Sequence, residues 1–112
     1  MKYIVSIDIG GTTFNSGIFT DSLNQVAISE KDKIRFYKSK NDVVNAIVKQ
    51  VNNLIDSVNI SKTDILGLGV GAPGPLDPKK GVILDTPNLR IFKNYHITYD
   101  LTKKLRIDTF IE

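Results

Sequence analysis

Asp8 stands directly before two glycines and two threonines, in the run Asp8-Ile9-Gly10-Gly11-Thr12-Thr13. Such a run can do phosphate chemistry. Glycines let a backbone come close to an anion and point N–H groups at it. Threonine hydroxyls can donate further hydrogen bonds to phosphate oxygens. A carboxylate would repel a bare phosphate, so the natural task of Asp8 is to hold Mg²⁺, through water, where the ion bridges phosphate oxygens. The run is not a Walker loop: it lacks the Gly-Lys-Ser/Thr ending and opens a strand, not a helix. A plain hairpin turn, its Asp bound to nearby amides, explains the run equally well on its own.

Two further runs have chemical content. In Gly67-Leu68-Gly69-Val70-Gly71-Ala72-Pro73-Gly74-Pro75-Leu76-Asp77 the first three glycines alternate. One face of a strand is thereby left without side chains, which suits close approach by another backbone or a ligand. The prolines stiffen the exit, and a rigid loop at a strand's C-terminal end is where open α/β sheets bind ligands. Tight helix–sheet packing and an ordinary turn explain that run slightly better when it is taken alone. In Thr86-Pro87-Asn88-Leu89 the amide of Asn88 both donates and accepts, as sugar hydroxyls require. Alone, it reads better as a turn residue. His96, the one histidine, lies before a predicted helix, where a solvent or capping role outweighs catalysis. Asp77 and Asp85 flank a hairpin-like stretch and read as turn residues.

The elements that must position these groups follow from periodicity. Residues 1–9 are a buried strand, carrying Tyr3, Ile4, Val5, Ile7 and Ile9. Gly10-Gly11 turns the chain into a second strand at 13–20, and a polar turn leads to a third at 26–36. Residues 39–58 change to helical spacing through Val44, Ile47, Val48, Val51, Leu54, Ile55 and Val58. Ser39 and Asp42 form a capping-box start with Asp in place of Glu. A fourth, wholly buried strand spans 65–71. A short extra strand at 82–84, a helix through Ile97, Leu101 and Leu105, and a last strand at 106–111 follow. The fold class is therefore α/β, with order β-β-β-α-β-α-β. Three antiparallel strands precede strands that run parallel to the first by right-handed helical crossovers.

The 112 residues suffice for one domain with a real core. No apolar run approaches the roughly 20 residues of a membrane helix, and Asp8 interrupts the N-terminal stretch too early for a secretory signal. The expectation is a cytoplasmic protein with no membrane partner. Without cysteine there is no disulfide or thiolate metal site. The net charge of +3 is scattered. Its densest group is Lys31, Lys33, Arg35, Lys38 and Lys40, whose alternation suggests the wet face of an edge strand, discouraging edge pairing, rather than a nucleic-acid surface.

Together, Asp8 to Thr12 (DIGGT), Gly71 to Asp77 (GAPGPLD) and Thr86 to Leu89 (TPNL), in this order and spacing, resemble the ROK family of sugar kinases and sugar-responsive repressors. The Pro-Gly-Pro segment is the specific piece, because DIGGT is shared across the wider actin, hexokinase and Hsp70 group of ATPases. The resemblance covers the whole chain but only the front part of a family member. It implies a ribonuclease-H-like, actin-like ATPase lobe with ATP and Mg²⁺ as cofactors and a hexose as substrate. It implies that Asp8, Gly10, Gly11, Thr12 and Thr13 face the ATP phosphates and metal. It implies that Gly74, Pro75, Asn88 and Leu89 lie near the sugar.

Two departures accompany the resemblance. The family follows its PNL with a segment bearing a Trp, for which Phe92 is the nearest substitute here. In the family a strand like Ile107 to Glu112 leads into Asn-Asp, whose Asp is the catalytic base. The expectation is thus an N-terminal lobe over residues 1–112 with no catalytic base of its own, inactive alone. The adenosine site, a zinc site and any homo-oligomer contact would belong to the missing lobe. A non-catalytic sugar sensor of the repressor branch is the alternative, although repressors carry a helix-turn-helix before the DIGGT strand, which here opens the chain. A nuclease of the ribonuclease H type would need several carboxylates converging on metals, and Asp8 is the one well-placed candidate.

Overall fold

Alternation builds the first hairpin. In the computed structural model, which describes residues 1–72, 76–84 and 92–111, β1 (Tyr3–Ile9) turns Val5, Ile7 and Ile9 into the core. Its partner β2 (Thr13–Thr20) buries Phe14, Ser16 and Ile18 on the same side, in the register Ile9↔Phe14 and Asp8↔Asn15. β3 (Gln25–Ile28) continues the antiparallel meander. The sheet order is β3-β2-β1-β5-β8, where β5 (Ile65–Gly71) and β8 (Thr109–Ile111) run parallel to β1 as the crossovers require. A separate two-stranded hairpin joins β6 (Leu76–Asp77) to β7 (Val82–Ile83).

The helices α1 (Lys40–Val58) and α2 (Ile97–Leu105) pack on one face of the sheet. Helix α1 starts where Ser39 Oγ accepts the Asp42 amide at 3.2 Å, and ends at Asn59 in the left-handed region (φ 58°). Its buried stripe is Val43, Val44, Ile47, Val51 and Ile55, while Val48, Leu54 and Val58 sit half-buried at its margin. Buried Ser16 donates through Oγ to Gln50 Oε1 at 2.5 Å, tying β2 to α1, and its amide is taken by Ser29 Oγ at 2.9 Å.

Three boundaries differ from the pattern in the sequence. The third strand does not run to Phe36 but stops at Ile28. Ser29 exchanges hydrogen bonds with Ser16, and the chain resumes as a two-residue strand, β4 (Asp32–Lys33), on the start of β2. Residues Ile34–Phe36 then form a 3₁₀ turn. Local side-chain bonds compete with the ladder here: Asp32 accepts the Lys33 amide at 2.8 Å and the Tyr37 hydroxyl at 2.5 Å. The last strand begins at Thr109 rather than Arg106, because Arg106 takes a left-handed φ of 58° to close α2. The strand Leu76–Asp77, partner of the short strand at 82–83, was not marked by periodicity at all. Four strands therefore precede α1, and a small hairpin lies between β5 and α2.

Candidate functional site

Asp8 lies at the C-terminal end of β1 on the face that no described helix covers, with its carboxylate exposed. Beside it in the parallel register is Gly71, at the end of β5. A Cβ on Gly71 would stand 3.9 Å from Asp8 Oδ1, and one on Gly69 would meet nothing within 4 Å. The glycine alternation therefore clears space beside a carboxylate. Ser6, Asp8, Gly69, Gly71 and Phe110 line a cavity of about 490 Å³ there. This is the ligand position expected at the carboxyl ends of parallel strands.

The turn from β1 to β2 is closed by the Gly10 amide, donated to the Thr13 carbonyl at 2.8 Å. Neither Gly10 nor Gly11 has a positive φ. A Cβ on Gly10 would reach Thr13 O at an ordinary 3.5 Å. Strain does not demand glycine here; what its absence of a side chain provides is access. The amides of Gly11 and Thr12 make no hydrogen bond to another described residue. Both residues are exposed, so unengaged donors sit at the tip of the turn.

The Asp8 side chain has no hydrogen bond or ion pair among the described residues. Among the described residues, no group of three or more His, Cys, Asp or Glu side chains gathers there to form a protein cage. One free carboxylate beside hydroxyls and free amides fits Mg²⁺, which keeps several waters and takes its other oxygens from phosphates. It does not fit a structural zinc or calcium site.

The structure thus brings Asp8, Gly10, Gly11, Thr12 and Thr13 together. Gly74, Pro75, Asn88 and Leu89, the expected sugar contacts, lie outside the described residues, as does Asp85. Phe92 is fully buried and stacked on Tyr95, centroids 5.9 Å apart and planes 15° apart, so it packs the core and lines neither cavity at the hairpin. His96 is exposed before α2 and makes no side-chain cap. Asp77 accepts the Lys80 amide at 3.1 Å as a turn residue. Missed in the sequence were Lys33 and Arg35, which share a second cavity with the hairpin, and Phe110, which walls the first. The alternation of charge over 31–40 was the available signal for the two cations, but it pointed to a strand face.

A profile of the ROK family matches residues 4–112. A glucokinase of Thermotoga maritima is 25% identical over 109 residues, covering 97% of this chain and 32% of that protein. A xylose repressor of Caldicellulosiruptor bescii is 21% identical over 109 residues, covering 97% of this chain and 27% of the repressor. The crystal structure of a ROK family glucokinase from Streptomyces griseus, in complex with glucose and AMPPNP, superposes with a TM-score of 0.81 at 20% identity. That match covers 98% of this chain and 32% of the other, and the two share one fold. The chain spans about a third of the length of the curated glucokinase it matches.

Proposed function

The chain belongs to the ROK family, and from that premise we propose that it is the N-terminal lobe of an ATP-dependent hexose kinase. The observation that carries the reading is a free carboxylate, Asp8, beside unengaged turn amides at the ends of two parallel strands. The Gly10 to Thr13 turn holds and orients the ATP phosphates with its amides and hydroxyls. Asp8 anchors a water-bridged Mg²⁺, which when bound neutralises charge on the phosphate oxygens. Gly74, Pro75, Asn88 and Leu89 are the proposed sugar contacts. The base that takes the hydroxyl proton is assigned to no residue of this chain; on this reading it follows Glu112.

Support for ATP comes from the AMPPNP complex of the Streptomyces griseus relative, and support for a hexose from its glucose. We assign the activity to the cytoplasm, with no nucleic-acid or membrane partner and with any self-association running through the other lobe. No helix among the described residues is long and apolar enough to cross a membrane. The likeness to a xylose repressor favours one second reading, a sugar-sensing domain that binds without transfer.

A coupled ADP-release assay separates the two. A chain carrying both lobes should release ADP in a hexose-dependent way, whereas residues 1–112 alone should not, because one lobe cannot position both substrates. Sugar binding without ADP release in the two-lobed chain would establish the sensor instead.

A further inference from the structure

The hairpin has a deficit of charge. Its amides and hydroxyls are neutral, and Asp8 is negative, yet a triphosphate chain carries several negative charges that a single Mg²⁺ does not cancel. The fold supplies cations from a segment that the sequence pattern placed elsewhere. β4 docks on the start of β2 with Lys33 opposite Thr13, and the Ile34 amide donates to the Thr12 carbonyl at 2.9 Å. Directly opposed residues on paired strands point to the same face, so Lys33 lies on the Thr13 side. Lys33 and Arg35 line a cavity of about 490 Å³ together with Gly11, Thr12 and Thr13.

Among the described residues neither cation has an ion-pair partner; the ion pair there is Lys2–Asp64, at 3.8 Å, ahead of β1 and β5. Asp32, the adjacent acid, already accepts the Lys33 amide and the Tyr37 hydroxyl. Both cations instead flank the ring of Phe36, at 5.7 and 5.6 Å from its centroid, and that ring is 66% exposed. An aromatic left in solvent adds little to the core, but its cation–π contacts favour positions of both side chains near its ring.

We infer that Lys33 and Arg35 are the cationic wall of the phosphate site and bind the phosphate chain of a Mg²⁺-complexed triphosphate. The inference rests on the reading of Asp8 to Thr13 as a phosphate cradle, and adds to it the charge that cradle lacks. The chemistry recognised is the phosphoanhydride chain itself, whether carried by a nucleoside or inorganic.

Calorimetric titration of the 112-residue chain with Mg²⁺ and either ATP or inorganic triphosphate tests this. Lys33→Gln/Arg35→Gln should weaken both ligands about tenfold, the loss of two exposed charge-assisted contacts, with an unchanged melting temperature. Lys31→Gln/Lys38→Gln, which removes the same charge from residues outside this cavity, should leave binding within about twofold. Equal losses in the two double variants would mean diffuse attraction and overturn the site. A loss for ATP alone would overturn the phosphate assignment. Unchanged binding in Lys33→Gln/Arg35→Gln would refute the cationic wall while leaving the cradle intact. Absence of any triphosphate binding to the unaltered chain at millimolar ligand would remove the cradle and the wall together.

Discussion

Two glycine turns in this molecule are held in opposite ways. At Gly81 the backbone takes φ +67°, and a Cβ would lie 1.7 Å from Thr98 Oγ1. The turn is pressed onto the start of α2, where the Thr98 hydroxyl donates to the Gly81 carbonyl at 3.3 Å. Next to it, Ile83 and Tyr95 exchange backbone hydrogen bonds of 3.0 and 3.1 Å, and the Tyr95 hydroxyl reaches Asp100 at 2.5 Å. At Gly10-Gly11 there is no positive φ, a Cβ on Gly10 would meet only ordinary contacts, and the amides of Gly11 and Thr12 are unengaged beside a free carboxylate. The first glycine is required by the protein's own packing. Gly10 is not required by the packing around it.

The sharpest way to break that contrast is Gly81→Ala. The side chain must displace Thr98 and occupy a left-handed backbone, and should cost about 3–4 kcal/mol of stability. For a domain of this size that is a fall in melting temperature of more than about 10 °C. Thermal or urea unfolding reads it directly, and a loss below about 1 kcal/mol would mean the corner is looser than its contacts indicate.

Asp8→Asn should do the reverse. The exposed side chain has no partner to lose, so melting should shift by less than about 2 °C. Turnover of a two-lobed chain should drop at least about 100-fold, near 3 kcal/mol of transition-state stabilisation. A variant that largely unfolds, but whose folded remainder is fully active, would make Asp8 a structural turn residue.

Tyr95 sharpens the comparison from the anchored side. Burial, then the hydrogen bond to Asp100, then the Asp100 charge push its hydroxyl well above the ordinary value of 10. Folding thus favours the protonated phenol. Its contribution is complete below pH 10 and declines as pH rises beyond 10. Tyr95→Phe should cost about 1 kcal/mol at neutral pH and flatten the alkaline limb of the stability profile. Tyr37, raised mainly by its bond to Asp32, remains in both proteins, so the difference between the two profiles isolates Tyr95.

The smallest effect expected on folding is that of Gly10→Ala. Its Cβ meets only ordinary van der Waals contact, so stability should change by less than about 0.5 kcal/mol. Titration with inorganic triphosphate and Mg²⁺ should nonetheless weaken severalfold, because the methyl shades the amides of the turn. Unaltered binding would show that the ligand approaches from another side.

These two turns also mark what sequence reading can reach. The hairpin, the Ser39 cap and the span of α2 are written in neighbouring residues, through turn chemistry and short periods, and the structure reproduces them. The end of β3 was not legible. It depends on Ser29 meeting Ser16, thirteen residues away, and on Thr12 accepting an amide from Ile34. The same long-range docking carries Lys33 and Arg35 to the hairpin, which is why charges that read as a wet strand face line a cavity. The stacking of Phe92 on Tyr95 in the core was likewise not legible from neighbouring residues.

The adjacency of Asp8 and Gly71 has a metrical consequence. Both residues occupy one rung of the same parallel ladder, and neighbouring strands hold a spacing of about 4.8 Å. The gauge between the end of β1 and the point where the chain leaves β5 is therefore set by backbone hydrogen bonds, independent of the side chains in either loop. Loops grafted onto such a pair of strand ends can be exchanged over evolution to admit a different ligand, while the distance between the two rims stays calibrated.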